Sequence, residues 1–107
     1  MTNNEFYTNH YKPYQENNMT RGTCSTRCNI IENRLLSTHG TATPDNISNS
    51  DIDRIYATME SEGLRPNTIF GVYAALYSFF RMAVELGESQ ENPVKLARTI
   101  RADIERN

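Results

Sequence analysis

Apolar residues recur at intervals of three and four along most of this 107-residue chain. That spacing places them on one side of successive helices, whereas no useful stretch alternates apolar and polar residues as a strand does. The pattern predicts an all-α fold, a compact bundle of four main helices plus a short C-terminal helix. No internal repeat is visible, so we expect one hydrophobic core.

The first eighteen residues carry aromatic side chains at roughly helical spacing, which predicts a short first helix. Phe6, His10 or Tyr11, and Tyr14 can share one stripe of that helix. Pro13 argues against an uninterrupted helix because it lacks a backbone N–H. We therefore expect a helix near residues 3–12, or a kinked one running to residue 17.

A polar connector over residues 18–25 contains Gly22, which we interpret as a breaker before the second helix. This helix is predicted from about Thr26 to Thr38, with an apolar side made of Ile30, Ile31, Leu35 and Leu36. Gly40 fits its C-terminal stop, since glycine tolerates the left-handed backbone often found there.

The third helix has clear local signals at both ends. Ser48 and Asp51 have the spacing of a capping box, and Gly63 fits a stop over which Leu64 packs back. The helix is predicted over 49–62, with a buried side made of Ile52, Ile55, Tyr56 and Met59. In the polar loop before it, residues 40–50, Ile47 is the only large apolar residue and should enter the core.

The fourth helix should begin at Pro66, because proline suits the first helical turn, and end at Gly87. Its predicted buried face consists of Ile69, Val72, Tyr73, Leu76, Phe80 and Ala83, widened by Phe79, Met82 and Leu86. A helical wheel turns another set away from this face: Arg65, Asn67, Thr68, Gly71, Ala75, Ser78 and Arg81. Residues 94–105 can form a last short helix.

The order of these signals resembles the N-terminal core-binding domain of tyrosine recombinases, the phage-integrase family. The resemblance covers roughly residues 5 to 97. It rests on Ser25-Thr26, Gly40, Ile47-Ser48-x-x-Asp51-Ile52, Gly63-Leu64-x-Pro66-x-Thr68-Ile69, Phe79-Phe80 with Ala83, Gly87 and Asn92-Pro93-Val94. The segment Glu88–Glu91 is more polar and more acidic than the family pattern.

The resemblance implies a non-catalytic SAM-like helical domain that holds one face of crossover-site DNA for recombination and integration. It also implies a domain order of residues 1–18 as a partly loose N-terminal helix, 19–94 as the core-binding domain and 95–107 as a linker helix. The expected partners are double-stranded DNA, the catalytic domain of the same recombinase and other recombinase protomers. The family's catalytic set lies in the later domain, so no residue of this chain is assigned to it.

Composition limits how such a chain can bind DNA. Eleven basic and thirteen acidic residues give a net charge of −2, which argues against binding by bulk charge alone. A basic face on a nearly neutral body remains compatible with this balance. Because the resembling domains use their second and fourth helices against DNA, the candidate contacts are Thr23, Ser25, Thr26, Arg27, Arg34, Arg65, Asn67, Thr68, Tyr77 and Arg81. Each of these residues also fits an ordinary solvated helix face or cap.

The sequence supports no enzyme, cofactor or metal site. Cys24 and Cys28 lie on one helix face, but His10 and His39 lack ligand-type spacing, so two reduced thiols are expected. No carboxylate pair, Ser/His/Asp set or glycine-rich phosphate loop is present. Without a membrane span or signal peptide, a cytoplasmic setting is expected. A helical protein–protein interaction module without DNA contact is the alternative function.

Overall fold

In the computed structural model, which describes residues 1–96, four helices pack around one aromatic and aliphatic core. No strand occurs within this range, and the predicted all-α bundle is confirmed. The predicted last helix, 94–105, is not confirmed over its first three residues, because residues 94–96 are not helical. The rest of that predicted helix lies outside the described residues.

The first helix, α1, spans residues 3–18 in three consecutive segments. An α-helical turn, Asn3–Phe6, leads into the π-helical segment Tyr7–Tyr11 and then into the α-helix Lys12–Asn18. The wider turn places Pro13 in the first turn of the following segment, where a missing N–H is tolerated. The helix therefore passes the proline, as in the longer of the two sequence interpretations.

The π-helical segment changes which side chains of α1 face inward. Phe6, Tyr7 and Tyr11 are all buried, so two neighbouring aromatic residues enter the core together. Tyr14, predicted to share the stripe, instead lies 46% exposed. The stripe prediction was wrong at this position because it assumed a regular turn of 3.6 residues.

The start of α1 is attached to the loop that follows the second helix. The amide of Asn3 donates to the carbonyl of Ala42 (2.7 Å), and the amide of Asn4 donates to Gly40 (2.9 Å). The side-chain amide of Asn3 donates to the carbonyl of His39 at 2.9 Å. Two amides that a helix N-terminus leaves without intrahelical acceptors are thus satisfied by this loop.

The second helix, α2, spans residues 21–39 and begins five residues before the predicted start. It comprises Arg21–Ile30, a π-helical segment Ile31–Leu36 and the short turn Ser37–His39. Thr20 is the N-cap, and its hydroxyl accepts from the amide of Thr23. The connector prediction was wrong because Gly22 lies within the first, capped turn and does not break the helix.

Gly40 ends α2 for a different reason from the one predicted. Its φ is −61°, so it does not adopt the left-handed backbone. A Cβ atom there would lie 2.6 Å from the Asn4 side chain and 2.7 Å from the carbonyl oxygen of Leu36. Glycine is needed because α1 and the end of α2 approach so closely.

The third helix, α3, is Asn49–Ser61, within one residue of the prediction. Both bonds of the Ser48–Asp51 capping box are present, and the four predicted inward residues are buried. Gly63 adopts φ 79° and Leu64 returns toward the core, as expected. Ile47 is buried, which confirms its predicted place in the core.

The fourth helix, α4, is Pro66–Glu85 and crosses the whole bundle. Phe79 and Phe80 are completely buried, and Gly87 follows with φ 76°. Two assignments on this helix were wrong. Ala75, expected to face outward, is completely buried, and Leu86, expected to widen the core face, is 51% exposed.

Polar contacts attach the segment after α4 to the bundle. The Asn92 side chain donates to the carbonyl of Tyr77, and the Asn49 side chain donates to the carbonyl of Pro93. The Tyr56 hydroxyl donates to the backbone carbonyl of Lys95, and the Val94 side chain is buried in the core. These bonds hold the last described residues against α3 and α4.

Two glycines provide a matched test of the close approach. We expect Gly40→Ala to lower the free energy of unfolding by about 1–3 kcal/mol because the new methyl group overlaps a backbone carbonyl. A Cβ atom at Gly71, inside α4, would meet no other atom of residues 1–96 within 4 Å. We expect Gly71→Ala to raise that free energy by up to about 1 kcal/mol. Urea unfolding followed by circular dichroism measures both; shifts of the same sign would contradict this account of Gly40.

Candidate nucleic-acid interface

A groove of about 720 Å³ runs between α1, α2 and α4. Three of the predicted contacts, Arg27, Tyr77 and Arg81, line it although they are separated by up to 54 residues along the chain. Arg27 comes from α2, whereas Tyr77 and Arg81 lie one turn apart on α4. The fold therefore brings two guanidinium groups and one phenol to the same depression.

The inner side of this groove is built from polar groups held in place by α1. The guanidinium group of Arg27 donates to the side-chain oxygen of Gln15 at 3.4 Å, and Gln15 is only 1% exposed. The Ser78 hydroxyl donates to the carbonyl of Ala75, which leaves it to accept from the hydroxyl of Tyr11 at 2.7 Å. These bonds fix the positions of Arg27 and Ser78 relative to each other.

The charge on the groove is positive on balance. Arg81 pairs with Glu85 at 3.2 Å on the exposed surface of α4, and both side chains are well solvated. Such an exposed pair contributes little to stability, and each partner remains available to a ligand. Among residues 1–96, two guanidinium groups thus line the groove together with one carboxylate, that of Glu85.

Aromatic and sulfur-containing side chains form the walls. Tyr14 on α1 lines the groove with Tyr73 and Tyr77 on α4, and the rings of the latter two have centroids 5.8 Å apart. Met19, Met82, Ala74 and Leu86 add to the apolar lining. Tyr14 and Tyr77 are 46% and 41% exposed, so part of each ring is accessible to solvent.

A second, shallow groove adjoins the first at Arg27. Thr23 and Thr26 from α2 line it together with Gly71 from α4. All three lie on the exposed surface, and Gly71 leaves open space where a side chain would stand. Hydroxyl groups next to an arginine, beside a helix that lacks a side chain at this point, allow a phosphate backbone to approach.

The early start of α2 changes the position of the candidate contact Ser25. With the helix beginning at Arg21 and not near Thr26, Ser25 lies inside it and is not an N-cap. Ser25 is exposed and lines neither groove. The free N-terminal amides of α2 lie instead around residues 20–23, where the Thr20 hydroxyl already accepts from one of them.

Arg34 lies apart from the other candidates. Its guanidinium group donates to both carboxylate oxygens of Glu62, at 2.7 and 3.4 Å. It lines a separate depression between α2 and α3 that also contains His39 and Arg54. Because the carboxylate of Glu62 already compensates the charge of Arg34 through this bidentate pair, Arg34 would interact more weakly with a phosphate.

Arg65, Asn67 and Thr68 lie exposed at the start of α4. The backbone carbonyl of Arg65 accepts the first bonds of this helix, while its side chain forms no cap bond. At about 1.5 Å per residue, Arg65 lies roughly 24 Å along the helix from Arg81. These three residues can therefore extend the interface only at its far end, beyond the shallow groove.

Sequence reasoning missed the contribution of α1 to the groove. His10, Tyr14 and Met19 line it, and none of them was among the predicted contacts. The aromatic spacing of α1 was visible, but it was interpreted only as a core stripe. The π-helical segment, which has no evident sequence signal, is what turns Tyr14 outward.

Within residues 1–96, no group of potential metal ligands comes together, and the environments of Cys28 and Tyr7 favour their protonated forms. No cluster of three His, Cys, Asp or Glu side chains occurs within residues 1–96. Burial raises the pKa of the Cys28 thiol, and burial together with the hydrogen bond to Glu32 raises the pKa of Tyr7. Both groups therefore keep their protons near neutral pH and are poor nucleophiles.

The comparisons with known proteins add no assignment. No protein-family model, curated protein or solved structure matches the chain. Within the described range, no helix combines the length and apolar character needed to cross a membrane.

The Arg34–Glu62 pair makes a prediction about acid stability. The hydrogen bond from Arg34 lowers the pKa of Glu62 in the folded protein. The pair therefore stabilises the folded protein at pH values above the ordinary glutamate pKa. This stabilisation is lost as the pH falls through the lowered pKa that Glu62 has in the folded protein. We expect Arg34→Gln to raise the Glu62 pKa toward the ordinary glutamate value, measured by NMR titration of side-chain carboxyl carbons. Arg81→Gln is the matched control, because it removes one positive charge outside this pair. An equal rise of the Glu62 pKa in Arg81→Gln would contradict the role of Arg34.

Proposed function

We propose that this chain is a DNA-binding, non-catalytic module of the tyrosine recombinase type that holds crossover-site DNA. The observation that carries the proposal is that Arg27 and Arg81, from two helices distant in sequence, line one groove. The resemblance along residues 5 to 97 names the same two helices as the DNA-facing ones. In this proposal the bond-breaking chemistry belongs to a separate catalytic domain of the same recombinase.

The proposed contacts are mainly to the sugar–phosphate backbone. Arg27 and Arg81 would each neutralise a phosphate, and Thr23 and Thr26 would donate hydroxyl hydrogen bonds to the same strand. Gly71 would allow that strand to lie close to α4, because no side chain fills the space beside it. Such contacts position a duplex and carry little sequence information.

The overall charge sets the expected strength of binding. With a net charge of −2 and a small number of arginine contacts, the domain should bind duplex DNA weakly, with a dissociation constant of about micromolar or higher. Its binding should depend on salt, because each neutralised phosphate releases counterions. We expect tight binding only when a second domain clamps the other face of the same DNA.

One observation favours the alternative of a protein–protein interaction module. Leu86, which lines the groove, is 51% exposed, and Phe70, whose ring centroid lies 5.7 Å from that of Tyr73, is 46% exposed. Together with the exposed tyrosines of the groove they form an apolar surface of the kind that can bind another protein. Another recombinase protomer would then occupy the surface without DNA contact, and its binding would respond little to salt.

Titration of a fluorescent duplex at two salt concentrations separates these functions. We expect Arg27→Ala and Arg81→Ala each to weaken binding and to make the slope of log K against log salt shallower by about one. Arg34→Ala is the control, because that side chain is paired with Glu62 outside the groove. Binding that is absent at low salt, or that both groove variants leave unchanged, would contradict the proposal.

Removing the carboxylate beside Arg81 tests the proposal in the opposite direction. We expect Glu85→Gln to tighten duplex binding, because it frees the guanidinium group and removes a charge that repels phosphate. Glu91→Gln changes net charge by the same amount on an exposed residue outside the groove. Equal gains from the two variants in the same titration would indicate a bulk charge effect and no specific role for Arg81.

A further inference from the structure

We infer that the groove between α1, α2 and α4 accepts unpaired nucleotides of a DNA strand, an inference that rests on the proposed function. The exposed rings of Tyr14 and Tyr77 lie in the same groove as the guanidinium groups of Arg27 and Arg81. Aromatic surfaces beside cations are the combination by which proteins hold single-stranded nucleic acid. The rings would stack on bases while the arginines contact the flanking phosphates.

The aromatic lining distinguishes an unpaired strand from a duplex. In duplex DNA the base faces are covered by neighbouring base pairs, so backbone contacts need arginine and hydroxyl groups but no exposed aromatic rings. The shallow groove at Thr23 and Thr26 has that simpler composition. The deeper groove has tyrosine rings in addition, and these become useful only where a base has left its stack.

The size and polar groups of the groove fit this occupant. A volume of about 720 Å³ lies within the range of sites that enclose small organic groups, and it accommodates a nucleotide unit. Gln15 is almost fully buried, so on the inner side it holds Arg27 in place and does not contact the occupant. The half-buried Ser78 hydroxyl donates to Ala75 and accepts from Tyr11, and its second lone pair can accept a hydrogen bond from a base.

The charge balance argues for an anionic occupant. In the part of the chain that the structure describes, the groove lining contains Arg27 and Arg81 against one carboxylate, Glu85, although the chain as a whole carries more acidic than basic residues. A purely apolar partner would desolvate two guanidinium groups, of which Arg81 is paired with Glu85 and Arg27 is bonded to the neutral side chain of Gln15. A strand of DNA supplies a phosphate for each of them.

The test compares three labelled probes by fluorescence anisotropy on the full chain. One is an oligothymidylate of about twelve nucleotides. The second is an abasic strand of the same length, which keeps the phosphates and lacks the bases. The third is the duplex used above. We expect the oligothymidylate to bind more tightly than the abasic strand, since only the former can stack on tyrosine.

Variants of the aromatic residues locate this binding. We expect Tyr14→Ala and Tyr77→Ala each to weaken oligothymidylate binding by at least about five-fold, the lower end for one stacked base. Tyr77→Phe keeps a ring and should retain most of the affinity. Phe70→Ala is the matched control, because Phe70 is as exposed as Tyr14 but lies outside the groove. Circular dichroism melting identifies any variant that fails to fold.

Each outcome bears on one of the two proposals. Equal affinity for the abasic strand, or an equal loss in Phe70→Ala, would overturn the nucleotide groove. Salt-dependent duplex binding without oligothymidylate binding would overturn it as well and leave the proposed function standing. Oligothymidylate binding that depends on Tyr14 and Tyr77, without any duplex binding, would support the groove and contradict the proposed function.

Discussion

The packing of Phe79 against α1 is the interaction on which the rest of this bundle depends. Its ring centroid lies 5.2 Å from that of Phe6, in an edge-to-face arrangement, and 5.3 Å from that of Tyr11. All three rings are completely buried, and such contacts add about 0.5–1.5 kcal/mol each beyond the burial of their area. This cluster holds α1 beside α4, and other side chains of these two helices line the groove.

Much of the fold follows from local sequence signals, and α3 illustrates why. Ser48 and Asp51 define its start, while Gly63 defines its end through a backbone conformation that other residues rarely adopt. The start of α2 was missed because its cap, Thr20, precedes a glycine that resembles a breaker. Ala75 was misplaced because a small side chain has little preference, so the packing of neighbouring helices decides its burial.

The candidate site was predictable only in part, for reasons of distance and geometry. Helical periodicity placed Arg81 on the outer side of α4, and the structure brings it together with the candidates Tyr77 and Arg27 in one groove. Nothing near Arg34 in the sequence indicates its partner Glu62, which lies 28 residues later. The outward position of Tyr14 depends on a π-helical turn whose hydrogen bonds leave no residue pattern to detect.

The polar links between α1 and the groove also constrain how this sequence can change over evolutionary time. The hydroxyl of Tyr11 needs Ser78, and the guanidinium group of Arg27 rests on the buried amide of Gln15. Substitution of one residue of such a pair leaves the polar group of the other without this hydrogen bond. Because an unsatisfied buried polar group lowers stability, such single substitutions are disfavoured by selection. In homologous chains the residues at each of these two pairs of positions should therefore change together. For Tyr11 and Ser78 this covariation would connect α1 with α4 across more than sixty residues of sequence.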